Sequence, residues 1–372
     1  MLRGSMAGGK LLILSVGYGQ GHHSAARAMA EYYAEGGWKC TVIDPCAEAY
    51  PVLFRLTQAF YGFCVRKAPW LWGILYSLTG NADWAGMVRR PPFRALRSYI
   101  RRVLVEQSPD LILCTYPLFA YMLDEAEVKE GGVVPYAVVV TDAREISRPW
   151  MRSEAPLVLV PDSESRSRMM ARYTLSNCAV VATGFPVRRC FGPAAERTAP
   201  GPEKINVVYG AYRRIRGVVN DIQALLGAFP QLKLTVLAGT RADVLERVFS
   251  AECSCGRLRV LAETKQMAEL LSAAHVYIGK AGAATVFECY ASHTPVLVNY
   301  VLPGQEEGNL ELLEDDGAGR HVESTAHLVS TLQQLVQDDA LLWKKMSNAM
   351  RKAARSDGAR QIARAIQQMY GI

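Results

Sequence analysis

The sequence predicts an α/β protein with two Rossmann-like parallel-sheet domains facing across a cleft. Three observations carry this. The 372 residues suffice for two domains of the usual ~100–200 residues. Short apolar, β-branched runs alternate with helical stretches, the pattern of βαβ units. Finally, the runs fall into two series, separated at 188–204 by a stretch in which Pro193, Pro200, Gly201 and Pro202 mark a turn-rich linker.

The first series of expected strands is 11–16, 40–44, 111–115, 136–141 and 157–160; the second is 205–209, 232–238, 258–261, 276–279 and 296–300. This division predicts domains over 1–188 and 204–345, with a C-terminal helix over 346–372 free to pack back on the first. Ligands of such sheets bind beyond the carboxyl ends of the strands, so the loops there are where chemistry is expected.

Composition narrows the class. Half the residues are hydrophobic and 21% are charged, which argues against disorder. The nine cysteines (40, 46, 64, 114, 178, 190, 253, 255 and 289) contain no C-x-x-C pair and no metal spacing near histidines. Reduced thiols in a cytoplasmic protein without a metal site are the expectation. The first apolar run, 11–16, is shorter than the core of a secretory signal. The net charge of +7 is concentrated: between positions 51 and 102 nine basic residues oppose a single acidic one, Asp83. Such a region selects an anionic partner, either nucleic acid or anionic lipid.

Behind the first strand the chain reads Gly17-Tyr18-Gly19-Gln20-Gly21-His22-His23-Ser24-Ala25-Ala26, and Ala25, Met29 and Tyr32 or Tyr33 follow at helical spacing. A glycine turn thus joins strand to helix. The spacing G-x-G-x-G-H is not that of dinucleotide binding, and Asp44 after the second strand does not restore the motif, which argues against an NAD site. The turn sets His22 at a helix N-terminus facing the cleft. There the helix dipole disfavours imidazolium and leaves a neutral ring able to accept a proton. The alternative is a histidine that only caps the helix. His23 reads as a surface or packing residue.

The segment Gly279-Lys280-Ala281-Gly282-Ala283-Ala284-Thr285-Val286-Phe287-Glu288 is again strand, small-residue turn, helix. Small residues let a diphosphate approach backbone N–H groups at a helix N-terminus. Thr285 and Glu288 share a helix face, and a carboxylate one turn inside suits ribose hydroxyls. After the next strand, Pro303-Gly304-Gln305-Glu306-Glu307-Gly308-Asn309 offers Gln305, Glu306 and Asn309 to sugar hydroxyls. Either loop alone could be a solvated turn; both after successive strands of one half argue for a site.

Taken together, the chain resembles the monogalactosyldiacylglycerol synthase and processive diacylglycerol glucosyltransferase family, of GT-B architecture and similar to glycosyltransferase family 28. The resemblance spans nearly the whole chain. It rests on Gly19-Gln20-Gly21-His22 with Ala25-Ala26, Lys67-Ala68-Pro69-Trp70-Leu71-Trp72-Gly73 with Leu75-Tyr76, Thr141-Asp142 and Thr183-Gly184-Phe185-Pro186-Val187. In the second half it rests on Lys280-Ala281-Gly282 with Thr285 and Glu288, and on the run from Pro303 to Asn309.

The resemblance implies inverting, metal-independent transfer from a UDP-hexose, a donor substrate and not a cofactor, to a diacylglycerol-type lipid. It makes His22 the general base, with Asp142 in the catalytic set, Glu288 the ribose contact, and Gln305, Glu306 and Asn309 the hexose contacts. Gly19, Gly21, Gly210, Gly282, Thr285, Pro303 and Gly304 complete the expected donor set. Three departures stand out. At Tyr209-Gly210-Ala211-Tyr212-Arg213-Arg214 a glycine-rich turn keeps one glycine, which implies either an altered backbone approach to the phosphates or arginines that take over part of that contact. No His follows Thr141-Asp142. Ala283 replaces a second glycine.

The basic region from Tyr50 to Arg102 is also rich in aromatic residues, and its apolar runs are too short to span a bilayer. Arg66, Lys67, Trp70, Trp72 and Tyr76 are expected at the acceptor and an anionic membrane surface, the inner face of the cell membrane. An ordinary amphipathic helix pair with its aromatics turned inward is the plain alternative, and a nucleic-acid surface is disfavoured. Remaining readings are transfer to a different lipid or small acceptor, and a non-catalytic nucleotide-sugar-binding homologue.

Overall fold

The computed structural model describes residues 8–19, 21–127, 134–151, 155–173, 178–193, 197–201, 203–353, 355 and 357–372. Gln20 of the glycine loop and Pro202 of the expected linker lie outside the described residues. The chain forms two compact units. The first comprises Met1–Cys64, Trp70–Arg188 and Ser356–Ile372; the second comprises Val65–Pro69 and Arg189–Arg355.

The first unit opens with β1 (Lys10–Leu14), α1 (Gly21–Glu35) and β2 (Lys39–Ile43). A helical excursion follows: α2 (Pro45–Ala49), α3 (Pro51–Lys67), α4 (Pro69–Asn81), α5 (Trp84–Arg89) and α6 (Arg94–Gln107). Then come β3 (Leu111–Cys114), α7 (Pro117–Glu127), β4 (Tyr136–Val139), β5 (Leu157–Val160), α8 (Ser163–Arg172) and β6 (Ala179–Ala182). The strand order is β2-β1-β3-β4-β5-β6, and every described pairing is parallel. Order reverses between β1 and β3, so the carboxyl ends of those strands bound a switch-point crevice.

Both faces of this sheet are covered, which is why its central strands read as unbroken apolar runs. Leu12, Leu14, Ile112, Cys114, Val138 and Val158 face one core with Phe119 and Trp150. Their neighbours Leu11, Ile13, Leu111, Leu113, Ala137 and Leu157 face the other, with Met29 and Tyr33 of α1.

The second unit contains β7 (Ile205–Gly210), α9 (Ile215–Ala228), β8 (Leu232–Leu237), α10 (Ala242–Val248), α11 (Ser250–Ser254), β9 (Leu258–Leu261) and α12 (Met267–Ala273). It continues with β10 (Val276–Lys280), α13 (Ala283–Ser292), β11 (Val296–Tyr300), α14 (Glu307–Asp315), β12 (Gly319–His321), α15 (Thr325–Val336) and α16 (Leu341–Ala353). The order β12-β11-β10-β7-β8-β9 is that of dinucleotide folds, with its switch point between β7 and β10. Val218, Ile222 and Leu225 of α9, and Leu328, Leu332 and Leu335 of α15, recur at helical spacing and enter one core.

Two strands were not legible as apolar runs. β6 is short and partly exposed, and β12 has three residues, one of them Arg320. Residues 346–372 hold the end of α16 in the second unit and all of α17 (Gly358–Tyr370) in the first. Ala359, Ile362, Ala363 and Ile366 of α17 fall four to a face and close the core over β1, β3 and β5. Gly358 makes this possible, since a Cβ there would stand 2.2 Å from the Phe185 carbonyl oxygen.

Candidate active site

His22 lies in the first turn of α1. Its Nδ1 is 2.8 Å from the Thr141 hydroxyl. The Tyr116 ring meets it edge-on at 5.2 Å and the Trp150 ring lies at 6.2 Å. Thr141 follows β4 and Tyr116 follows β3, so strand ends and a helix start converge on one imidazole, as the switch-point rule requires. Burial, opposed by a hydrogen bond to the Thr115 backbone and assisted by the nearby His23, lowers its pKa from 6.5 to about 4. The ring is neutral, as the helix dipole predicted, but desolvation is the leading cause.

Asp142 is 7% exposed and accepts a 2.8 Å hydrogen bond from the Trp150 indole. Tyr121 in turn fixes that turn by donating to the Pro149 carbonyl at 2.9 Å. Asp142 is thus tied to the His22 pocket through Trp150. Where a second histidine is lacking, Arg144 is buried with φ 62°, its N–H donating to the Ser165 hydroxyl at 2.7 Å and its Nε 3.6 Å from Asp162.

The glycine loop is braced by Asp44 and Gln58, with His23 behind it. Asp44 accepts from the Gly17 N–H at 2.8 Å, and Gln58 donates to the Gly17 carbonyl at 2.7 Å. His23 shares a 2.9 Å hydrogen bond with Ser15 and lies 3.7 Å from Asp44. So His23 is a structural strut. Gly19 has φ 89°, which favours glycine, whereas a Cβ on Gly21 would meet nothing within 4 Å.

In the second unit the expected donor residues gather at the ends of β7, β10 and β11. Gly282 precedes α13 without a side-chain cap, leaving first-turn N–H groups unpaired by any capping group. Thr285 is half-buried and Glu288 is 9% exposed, near Tyr212, Tyr277 and Cys289. Pro303 is half-buried, Gly304 turns at φ 81° with its N–H on Glu307 at 2.8 Å, and Gln305 is half-buried. Glu306 and Asn309, by contrast, are each 2% exposed and engaged inside the protein. Glu306 holds Lys280 at 2.5 Å and the Leu302 N–H at 3.1 Å; Asn309 donates to the Ala281 carbonyl at 2.9 Å.

The turn after β7 holds a further difference. Gly210 is needed because a Cβ would stand 2.6 Å from the Tyr212 ring and 2.9 Å from the Tyr277 hydroxyl. Arg213 is not free for phosphate: it is paired at 2.9 Å with Asp221, which has no exposed surface. Asp221 also accepts from Tyr209 at 2.7 Å, Asn299 at 3.3 Å and Thr325 at 2.6 Å. Arg241 donates to the carbonyls of Ala211 and Arg213 at 3.2 and 2.5 Å. Asp221 and two partly buried arginines thus hold this turn, so Arg213 braces it where a phosphate contact was the expectation.

The basic aromatic region separates into parts. Val52, Leu53, Leu56, Phe60 and Phe63 on α3, and Trp70, Ile74 and Leu78 on α4, recur at three- to four-residue spacing and are 46–71% exposed. Trp72 and Tyr76 are half-buried, Trp72 packing edge-on against Tyr61 at 4.7 Å. Arg66 and Lys67 are exposed and belong, with Val65–Pro69, to the second unit. An inward-packed helix pair accounts for Phe54 and Trp72 but not for the outward apolar face. Among the described residues no helix is long and apolar enough to cross a membrane, and no group of three or more His, Cys, Asp or Glu is placed to hold a metal.

Comparisons with known proteins match both halves of the chain. Residues 22–187 match the family model for monogalactosyldiacylglycerol (MGDG) synthase, and 213–368 match the glycosyltransferase family 28 C-terminal domain. A processive diacylglycerol beta-glucosyltransferase of Bacillus cytotoxicus is 24% identical over 368 residues, covering 95% of this chain and 92% of the relative. A second, of Bacillus thuringiensis, is 24% identical over 378 residues with the same coverage. Among solved structures, Acinetobacter baumannii MurG has TM-score 0.59 at 16% identity, covering 97% of this chain and 99% of its own. The UDP-GlcNAc 2-epimerase of Neisseria meningitidis has TM-score 0.58 at 12% identity, covering 96% and 100%. These structures show the GT-B fold alone, which serves more than one chemistry. With each half matched in order by its own family model and relatives aligned from end to end, the chain is a glycosyltransferase that joins a monogalactosyldiacylglycerol synthase family domain to a glycosyltransferase family 28 C-terminal domain.

Proposed function

We propose that this glycosyltransferase moves a hexose from a UDP-sugar to the hydroxyl of a diacylglycerol-type lipid, with inversion, at an anionic membrane surface on the cytoplasmic side. The observation that carries the reading is the neutral His22, held by Thr141 among aromatic rings at the ends of β3 and β4. A neutral imidazole takes the acceptor proton as the hydroxyl oxygen bonds to the anomeric carbon. The bond from that carbon to the UDP oxygen breaks, and attack from the opposite face converts an α-linked donor into a β-glycoside.

The departing diphosphate accepts hydrogen bonds from the first-turn N–H groups of α13, which offset part of its developing charge without calling on a metal ion. Glu288 serves the ribose, and Gln305 the hexose. Asp142 sustains the His22 pocket through Trp150. The outward apolar face of α3 and α4, flanked by basic residues, suits insertion at headgroup level.

The test is transfer by purified protein from UDP-glucose, UDP-galactose or UDP-GlcNAc to vesicles containing diacylglycerol, with products read by mass spectrometry. A lipid heavier by one or more hexoses, formed faster on anionic than on neutral vesicles, is expected. Replacing Phe63 and Trp70 by Ser should cut vesicle binding at least tenfold without unfolding the protein, since both side chains are already exposed. UDP binding without any glycolipid would favour a non-catalytic homologue, and a glycosylated product other than a diacylglycerol lipid would move the acceptor.

A further inference from the structure

At the carboxyl end of β10 a cation stands where donor phosphates are expected. Lys280 Nζ is 2.5 Å from Glu306 Oε1 and 5.5 Å from the centroid of the Tyr212 ring. It also crowds Gly282, the residue before α13: a Cβ there would lie 2.9 Å from Nζ and 3.5 Å from Glu306 Oε1. A helix N-terminus carries partial positive charge, so an ammonium group beside it is disfavoured unless a carboxylate accompanies it. Glu306 is that carboxylate, and being 2% exposed it needs a donor as much as Lys280 needs an acceptor.

A second observation points to a ligand at the same turn. Asn309 is 2% exposed, and its Nδ2 donates to the Ala281 carbonyl at 2.9 Å. Its Oδ1 is buried with no hydrogen-bond partner. Most buried side-chain acceptors in native proteins have a protein or water partner, so this one is open to a donor from outside the chain, such as a hydroxyl group.

Resting on the donor site proposed above, we propose that Lys280 and Glu306 form an exchange switch that reads both ends of the donor at once. The diphosphate takes Lys280 away from Glu306, and the sugar hydroxyls then donate to the carboxylate so released. UDP alone separates the pair and offers Glu306 no replacement for the ammonium, leaving a buried carboxylate with one charge-compensating partner fewer beside the Leu302 N–H. The nucleotide sugar restores it. After transfer the sugar has gone, Lys280 returns to Glu306, and UDP is released more readily. Affinity for UDP and preference for UDP-sugar over UDP are therefore opposed through one pair of side chains.

Calorimetric titration with UDP and with UDP-glucose tests this on the full chain. Glu306→Gln removes the ionic partner that holds Lys280 beforehand, so it should bind UDP about tenfold more tightly than the unmodified protein, or about 1.4 kcal/mol. Its preference for UDP-glucose over UDP should shrink towards one. Glu306→Ala should change UDP affinity in the same direction, which keeps the test available if one variant folds poorly, as thermal unfolding would show. Lys280→Met should weaken both ligands at least tenfold, and the gain from Glu306→Gln should vanish in the double variant. If the protein binds UDP but Glu306→Gln leaves that affinity unchanged or lower, the switch is wrong and the donor site stands. If the unmodified protein binds neither ligand, both fall.

Discussion

The neutral state of His22 makes a quantitative prediction about pH. An imidazole with the ordinary value of 6.5 is about one-tenth neutral at pH 5.5, whereas one at about 4 is almost wholly neutral. If His22 is the base, kcat/KM for glycolipid formation should stay within about twofold from pH 7.5 to 5.5. Below pH 4 it should fall about tenfold per unit. The same displacement affects stability, and in the same direction. In the unfolded chain the ring takes up a proton below 6.5, but in the folded chain only near 4, so lowering the pH favours unfolding. The contribution is complete above 6.5 and is lost progressively between 6.5 and about 4, with a ceiling of ~3 kcal/mol.

Rates must therefore be measured alongside far-ultraviolet dichroism at each pH, so that loss of fold is not taken for protonation of the base. His22→Ala should lower transfer by ~10²–10⁴ while removing this part of the acid sensitivity. A rate that halves near pH 6.5 in protein still folded would refute the burial argument. Full transfer by folded His22→Ala would refute the assignment of the base.

Two further predictions concern what holds each unit together. Asp221→Ala removes a carboxylate with no exposed surface that is paired with Arg213 and accepts from Tyr209, Asn299 and Thr325, so it should destabilise the second unit by ~3–5 kcal/mol in urea unfolding. A change below about 1 kcal/mol would show the network to be dispensable. Gly358→Ala places a Cβ 2.2 Å from the Phe185 carbonyl oxygen, a backbone atom that cannot swing aside, so α17 must shift at a cost of ~1–3 kcal/mol. Faster hydrogen exchange along α17 is the readout, and unchanged protection of Ile362 and Ile366 would refute it.

The central strands were legible because both faces of each sheet are covered, making them continuous apolar runs with no polar alternation. β6 and β12 were not: both are short, partly exposed edge strands, and β12 has three residues and no apolar run. Strand order was hidden for a different reason. Parallel crossovers look alike in sequence whichever edge they build, and after β2 the chain runs through the helices α2 to α6, with no further strand beyond β2 among the described residues, before β3 pairs with β1.

The site shows the same division between local and long-range information. The glycine turn that starts α1 and the small-residue turn before α13 are local, and each is visible in a dozen residues. The partners that give these turns their chemistry are remote: Thr141 reaches His22 across 119 positions, and Glu306 reaches Lys280 across 26. One remote pairing did leave a local trace. Asp221 lies on the face of α9 shared by Val218, Ile222 and Leu225, and a charged residue inside an apolar stripe implies a buried partner. That partner, Arg213, lies in the turn where arginines stood in for a glycine run. Arg213 is therefore spent on holding the turn's shape, and Lys280, which Glu306 keeps, is a cation at the start of α13.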